Sequence, residues 1–422
     1  MDFSSIKGRY KNIKHFFESI LAVATNGYPA RNLKVIGVTG TDGKTTTCHL
    51  IYSILQQAKY PVSLVSTVAA FSGGKEIDTG FHVTTPDAKF LQPLLVRFVR
   101  EKVRYLVLET TSHGLDQHRV LGCNFSIGVL TNITHEHLDY HQTFENYRKA
   151  KAKLFRGVKF AILNKDDPSF SYIKERVNPQ AKIISYSIKR KATIWAERIR
   201  ITSSGMEFLI HQGKKTFLSR AKIIGDYNVS NILAAIGATS VLSTSWKNMF
   251  AAIEEFPGVQ GRMEPINEGQ NFSVLIDFAH TPNALEKTLK TLKILKPKKS
   301  RLIAVFGCAG ERDVEKRPIM GEIATKLTDF VVLTAEDPRT EDVNEIIRQI
   351  SLGCEKAGGI KDKIYFWVLD RQKAIDFAIQ KLAKKGDIVV ICGKGHEKSM
   401  CFGKTEIPWS DQKAVRKALK FI

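Results

Sequence analysis

Cysteine is sparse and scattered in this sequence: Cys48, Cys123, Cys308, Cys354, Cys392 and Cys401 form no C-x-x-C pair and no dense spacing. That excludes a zinc ribbon and a disulfide-stapled scaffold. Thiols set in apolar runs, such as Cys392 within IVVICGKG, read as small buried hydrophobes. Long uncharged apolar runs are missing too, so no segment is expected to cross a bilayer. The opening MDFSSIKGRYKNIKHFFESILAVA has early basic residues, but Glu18 interrupts its apolar stretch, which predicts an amphipathic helix rather than a signal peptide. A cytoplasmic protein without membrane insertion is the expectation. Acidic residues are in short supply: 42 Asp+Glu against 64 Lys+Arg leave a formal net charge of +22. Such a balance invites an anionic partner, whether nucleic acid, nucleotide or lipid headgroup. No aromatic-interleaved basic patch, zinc knuckle or helicase-like motif series accompanies it, which argues against nucleic acid. Internal repeats and low-complexity tracts are also lacking.

What is present is an ordinary globular composition, 43% hydrophobic and 25% charged, over 422 residues. Size priors give two or three domains, large enough to bury cores without staples. Apolar β-rich runs alternate with helical patterns: LKVIGVTG, a helix through HLIYSILQQA, VSLVST, then RYLVLET, SIGVLTN and FAILN. That alternation predicts βαβ units on a mostly parallel sheet. A second series follows GVQGRME: SVLIDFAH, the helix NALEKTLKTLKIL, LIAVFG, FVVLTAE, IYFWVL and DIVVICG. The fold class expected is α/β, with two α/β domains joined near residues 257–268. Residues 192–220 alternate like antiparallel strands. In the helix from Asn283, Leu285, Leu289 and Leu292 share one face, while Lys287, Lys290 and Lys293 share a solvated one.

The first site signal is VIGVTGTDGKTTT, a hydrophobic strand entering a glycine-rich turn from which Lys44, Thr45 and Thr46 open a helix. Glycines let backbone N–H groups close around phosphate oxygens, and the helix N-terminus favours their charge. Lys44 would reach the β- and γ-phosphates, and the Thr45 hydroxyl would ligate Mg²⁺. The spacing departs from the common G-x-x-x-x-G-K-[ST] loop, because Val38 stands five residues before Gly43; the glycines fall at Gly37, Gly40 and Gly43. ATP use is the inference.

Five of the eleven histidines (His113, His118, His135, His137, His141) fall within residues 113–141. RYLVLETTSHGLDQHR puts Glu109 at the C-terminal end of a strand, where a parallel sheet builds its site. A carboxylate there can hold the Mg²⁺ of a bound nucleotide. The next strand, SIGVLTN, runs into ITHEHLDYH, so His137 is a second candidate ligand.

GVTGTDGKTTT, ETTSHGLDQHR, TNITHEHLDYH and YRKAKAKLF, in that order and spacing, resemble the ATP-dependent Mur ligases. Within that family the resemblance is closest to the muramyl-tripeptide synthetases, which add the third residue of the peptidoglycan stem. GDYNVSN, GRME, DFAHTPNAL, GCAGERDVEKRP, AEDPRTED, GKGHE and WSD continue it, over roughly residues 25–420. The resemblance implies a central P-loop ATPase-like domain over residues 31–262 and a C-terminal Rossmann-like domain, residues 263–422, that binds the amino acid. Residues 1–30 would be a helical segment with no room for the family's uridine-diphosphate-binding domain.

By the same resemblance, Gly40, Thr41, Asp42, Gly43, Lys44, Thr45 and Thr46 hold ATP, with Asn228 and Asn231 near the adenine, Arg262 on a phosphate and Asp277 on the ribose. Thr45, Glu109, His137 and Lys151 would ligate two Mg²⁺ ions. Lys151 sits where the family carries a carbamylated lysine: CO₂ turns an amine into an anionic ligand. Thr84, Thr85, Thr111, Gln117 and Arg119 match residues that bind the muramyl peptide, UDP-linked or not. Arg312, Glu336, Asp337, Pro338, Arg339, Gly393 and Glu397 match positions that hold the incoming diamino acid. The implied reaction is amide ligation through an acyl phosphate, by a monomeric enzyme, with Lys44 and Arg262 neutralising charge.

Two departures bear on specificity. Asp42 stands where the family has asparagine, in a turn that tolerates either. Glu336-Asp337-Pro338-Arg339 replaces the D-N-P-R of diaminopimelate-adding members. The extra carboxylate would draw an ammonium, leaving lysine open beside diaminopimelate, whereas Arg339 and Glu397 favour diaminopimelate. The alternatives are a two-domain relative partnered by an amidotransferase, a folylpolyglutamate-type ligase, and a nucleic-acid-dependent P-loop ATPase. The first would carry a four-cysteine ribbon, and the second would not explain GKGHE. Most of the basic surplus sits in stretches such as KTLKTLKILKPKKSR and RKAKAKLFRGVK and reads as lysine-rich surface.

Overall fold

The helix Phe3–Thr25 leads into a strand whose side chains are apolar on both faces: Val35, Ile36 and Val38 of β1 (Lys34–Thr39) are fully buried. A continuous apolar run of this kind belongs in the middle of a parallel sheet covered by helices on both sides. The computed structural model describes residues 3–77, 84–134, 136–202 and 205–422. After β1 come β2 (Val62–Val65), β3 (Ala70–Ser72), β4 (Lys75–Ile77), β5 (Tyr105–Glu109), β6 (Phe125–Leu130), β7 (Phe160–Asn164) and β8 (Lys182–Ser187). The antiparallel series expected from residues 192–220 follows as β9 (Ile194–Thr202), β10 (Gly205–Gln212) and β11 (Lys215–Ala221). All eleven join one sheet in the order β11-β10-β9-β8-β7-β6-β1-β5-β2-β3-β4. From β9 to β2 it is parallel; towards the two edges β3 and β10 run against it, and β4 and β11 pair antiparallel with them.

β1 is central to the site because its chain neighbours are not its sheet neighbours. The chain leaves β1 through the helix Lys44–Gln57 to β2, but β1 pairs with β5 on one side and β6 on the other. The C-terminal ends of β1, β5 and β6 therefore open side by side, where ligands of open α/β sheets bind.

The chain divides into two units, Met1–Pro257 and Gly258–Ile422. The second has its own sheet, from β12 (Glu264–Ile266), β13 (Ser273–Asp277), β14 (Leu302–Phe306), β15 (Phe330–Leu333), β16 (Tyr365–Trp367) and β17 (Ile388–Cys392). Their order is β12-β13-β17-β14-β15-β16, parallel except for the edge strand β12. A hairpin of β18 (Ser399–Phe402) and β19 (Thr405–Pro408) follows. The helix Pro282–Leu295 buries Leu285, Leu289 and Leu292, as its apolar spacing predicts, and turns Lys290 and Lys293 to solvent. The mixed α/β class read from the sequence is the observed one. All six cysteines are free thiols, five of them buried. Among the described residues no helix is long and apolar enough to cross a membrane.

Candidate functional site

The phosphate loop follows β1 directly. Gly43, in the left-handed region at φ 79, turns the chain into the helix, and no side chain caps that end. A Cβ on Gly43 would lie 2.3 Å from Asn231 Oδ1, so glycine is required there both for conformation and for space. The first-turn N–H groups of a helix have no partner within it and suit a phosphate, and here those positions are Lys44, Thr45 and Thr46. The loop backbone is pinned from the end of β6: the Asp42 N–H donates to Asn132 Oδ1, and the Asp42 carbonyl accepts from Thr131 Oγ1 and Asn132 Nδ2. Thr41 N–H donates to the Asn132 carbonyl (2.8 Å), and the Thr41 hydroxyl meets the Tyr147 hydroxyl at 3.0 Å. Asp42 thus contributes its main chain to the pinning of the loop.

Two lysines converge on one carbonyl. Lys44 Nζ donates to Gly40 O (3.1 Å) and Thr41 O (2.8 Å), and Lys151 Nζ donates to Gly40 O at 2.7 Å. Lys151, on the helix Phe144–Ala152, is 1% exposed and lies 4.5 Å over the Tyr147 ring. Burial pushes its pKa well below that of an ordinary lysine, and the nearby Lys44 adds to the shift. Across the loop, Thr45 Oγ1 donates to Glu109 Oε1 (3.0 Å), and Glu109 Oε2 accepts the Thr67 N–H (2.9 Å). The hydroxyl and the carboxylate therefore stand together at the strand ends, as the sequence predicted.

The His137 ring packs beside two others: its centroid is 4.8 Å from that of His113 and 6.1 Å from that of Tyr147, whose hydroxyl meets Thr41 of the loop. His135 lies outside the described residues. Among those described, no three His, Cys, Asp or Glu side chains gather as a metal cluster. A Mg²⁺ carried by a nucleotide does not need one, because phosphate oxygens and water complete its shell. The adjacent Thr45 hydroxyl and Glu109 carboxylate are hard oxygen donors of the right kind.

Beside this site the candidate peptide-binding residues form one hydrogen-bonded group. Thr85 Oγ1 donates to Glu109 O and accepts from the Thr111 N–H and hydroxyl. Thr84 is joined to Thr67 through their hydroxyls. Arg119 grips Gln117 Oε1 with two N–H groups, donates to Thr85 O and pairs with Asp87 at 3.1 Å. Gln117 Nε2 donates to the Tyr140 hydroxyl, which donates to Asp116. Tyr140, Tyr147, Thr131, Asn132 and Asp116 escaped the sequence reading as site residues, although all five sit within the motifs that carried it. Asn228 and Asn231 are buried on the helix Asp226–Ser240 and hydrogen-bonded to each other at 3.0 Å, with Asn231 against the phosphate loop.

In the second unit Asp277 ends β13, and burial raises its pKa, with Arg262 opposing the shift. Its oxygens accept from the Met263 and Ala279 N–H groups and from Thr288 Oγ1, so Asp277 holds the turn. The Arg262 guanidinium lies 4.3 Å over the Phe278 ring. Arg312 is exposed on the loop after β14. The segment Glu336-Asp337-Pro338-Arg339 follows β15, and Gly393 and Glu397 follow β17, on strands separated in the sheet by β14. Glu336 is buried, its Oε2 has no partner, and a Cβ on Gly393 would lie 2.2 Å from that oxygen. Burial raises Glu336 to about 7, against the pull of Lys316, Arg371 and Lys394. Behind both loops Arg371, fully buried, donates to Ala335 O and Cys392 O and pairs with Asp411 at 2.8 Å.

A phosphate loop at the switch point of a mostly parallel sheet, with a hydroxyl and a carboxylate beside it, defines the first unit as a nucleotide-phosphate-binding α/β domain. Residues 38–239 match the Mur ligase middle domain, and residues 261–395 match the Mur ligase, glutamate ligase domain. The chain is 39% identical over 411 residues to the UDP-N-acetylmuramoyl-L-alanyl-D-glutamate–2,6-diaminopimelate ligase of Geobacillus thermodenitrificans, covering 95% of this chain and 82% of that one. It is also 39% identical over 414 residues to the UDP-N-acetylmuramyl-tripeptide synthetase of a Roseiflexus species, covering 94% and 81%. A solved UDP-N-acetylmuramoyl-L-alanyl-D-glutamate–2,6-diaminopimelate ligase superposes with a TM-score of 0.64 at 33% identity, over 92% of this chain and 78% of that one. The folylpolyglutamate synthase of Mycobacterium tuberculosis shares the fold, with a TM-score of 0.74 at 17% identity, over 89% of this chain and 92% of that one. The chain belongs to the Mur ligase family, a family of ATP-dependent amide ligases.

Proposed function

We propose that this chain joins a diamino acid, diaminopimelate or lysine, to the terminal carboxylate of a muramyl dipeptide in peptidoglycan precursor synthesis, consuming ATP. The observation that carries the reading is the meeting of Lys44, Lys151, Thr45 and Glu109 around one phosphate loop, with a hydrogen-bonded peptide-binding group beside it. The names of the relatives support the substrate class. The first unit would hold ATP through residues 40–46, Asn228 and Asn231. Arg262 and Asp277 would add phosphate and ribose contacts. Thr84, Thr85, Thr111, Gln117 and Arg119 would orient the peptide carboxylate. Arg312, residues 336–339, Gly393 and Glu397 would hold the amino acid, with Arg339 gripping a carboxylate and Glu397 an ammonium. The protein would act as a cytoplasmic monomer, without nucleic acid.

In the reaction the peptide carboxylate attacks the γ-phosphorus, ADP leaves, and an acyl phosphate forms. The amine then attacks the acyl carbon and expels phosphate. Lys44 would follow the charge developing between the β- and γ-phosphates, and the loop N–H groups would fix the transferring phosphoryl group. Mg²⁺, held by Thr45 and Glu109 and further by His137, supplies neutralisation of phosphate charge when bound. Lys151 would become a carbamate. An uncharged amine is the form that adds CO₂, and burial beside Lys44 favours that form. The carbamate would set an anion beside the Lys44 cation, an attracting pair, and its oxygens would be hard ligands for a second Mg²⁺.

Phosphate release should require both the dipeptide substrate, UDP-linked or UDP-free, and the diamino acid; release independent of the amino acid would refute the ligase. Lys151→Ala should lower kcat by about 100-fold or more, the scale of a lost catalytic group, and a short carboxylic acid should restore part of it. Full loss without rescue would remove the support for the carbamate.

A further inference from the structure

The helix Phe3–Thr25 packs on the first unit with small side chains and turns large ones outward. Ser19, Ala22 and Val23 are buried, and Val23 lies against Gly122, where an added Cβ would come within 2.8 Å of Val23 Cγ2. Asn12 Nδ2 donates to Asp116 Oδ2 at 3.1 Å, and the Phe16 ring meets the His118 ring edge-on at 5.1 Å. These contacts fix the rotation of the helix about its own axis. Ile13, Phe17, Ile20 and Leu21 are left on the far side, at the i, i+4, i+7, i+8 spacing of a single helical stripe. All four are exposed, Phe17 and Leu21 at 64% and 65%. Large apolar side chains gathered on one face of one helix form a patch, unlike the single hydrophobics scattered over an ordinary surface.

The charge of the helix indicates what covers this stripe. Its sequence carries Lys7, Arg9, Lys11 and Lys14 against Glu18 as its one acid, in a chain of net charge +22. Glu18 is itself paired with Lys14 at 3.7 Å. A second copy laid on the stripe would bring these cations against their own kind, a juxtaposition that costs free energy. Among the described residues no helix is long and apolar enough to cross a membrane, so this one would lie along a surface. An apolar face with lysine and arginine beside it is the chemistry of a helix resting where anionic headgroups meet acyl chains. We propose that the helix Phe3–Thr25 is a docking surface for an anionic lipid membrane. Ile13, Phe17, Ile20 and Leu21 enter the boundary of the acyl chains, and the cations of the helix supply attraction to the headgroups. Asp116 and His118, which hold the helix, flank Gln117, so docking sets the candidate peptide-binding group beside the membrane.

The test is co-sedimentation of the full chain with vesicles, made either of phosphatidylglycerol with phosphatidylethanolamine or of phosphatidylcholine alone. The wild-type protein should pellet with the anionic vesicles, less so as salt is raised, and should stay in solution with phosphatidylcholine. Phe17→Ser combined with Leu21→Ser should weaken binding by about 100-fold or more, because two large apolar side chains are no longer buried in lipid. Both residues are exposed, so the far-ultraviolet circular dichroism of this variant and its ATP-dependent activity in lipid-free solution should match the wild type. Lys14→Gln should weaken binding to the anionic vesicles by about fivefold. Absence of pelleting with anionic vesicles overturns the proposal, as does equal pelleting of the double variant or equally strong binding to phosphatidylcholine. A wild-type dimer in sedimentation velocity that the double variant dissociates would assign the stripe to a second copy and overturn it as well. Vesicle binding is read without any reaction, so a negative result leaves the ligase reading intact.

Discussion

Glu336 shows how a single buried side chain can carry a pH dependence. The unfolded chain releases its proton near 4.5, whereas burial holds the folded group at about 7. Between those values the folded state keeps the proton longer, so stability contributed by protonated Glu336 is present at low pH and is lost as pH rises towards 7. Glu336→Gln removes the ionisation. In urea unfolding the variant should gain on the wild type by up to about 3 kcal/mol between pH 5 and pH 8. An offset that does not change with pH would contradict the burial argument. Lys151 is the mirror case, a cation made reluctant by the same cause. Both residues owe their chemistry to desolvation, which no motif displays.

At the scale of elements, the site depends on loops that leave neighbouring strand ends at fixed spacing. In the second unit that spacing is set by Arg371, on the helix Arg371–Asp376, which ties the ends of β15 and β17 through Ala335 O and Cys392 O. Its charge is balanced by Asp411, which also accepts the Trp409 N–H at 2.8 Å. Removing one partner of a fully buried pair strands the other. Arg371→Leu should destabilise the protein by about 3–5 kcal/mol, and Arg371→Leu with Asp411→Leu should cost less than that single change. Urea unfolding of the two variants checks this, and a double variant less stable than the single one would contradict it. In the first unit the same task falls to the side chains of Thr131 and Asn132, which donate to the phosphate-loop carbonyl of Asp42.

For the whole molecule, the alternating strand and helix pattern was legible because the parallel strands are apolar on both faces, as in β14 and β17. The antiparallel edge from β9 to β11 was legible from its alternation. The phosphate loop and Glu109 were legible because local spacing fixes their place at strand ends. The hubs were not: Arg371 and Asp411 lie 40 residues apart, and a buried arginine reads in sequence like any surface cation. The net charge of +22 pointed to no particular partner, since residues such as Lys290 and Lys293 are solvated surface. The central claim is that the peptide carboxylate is activated by phosphoryl transfer. With that carboxylate labelled by ¹⁸O and the diamino acid present, mass spectrometry should find one labelled oxygen in each phosphate released, matched by one new amide bond. Unlabelled phosphate, as water attack on ATP would give, would contradict the account.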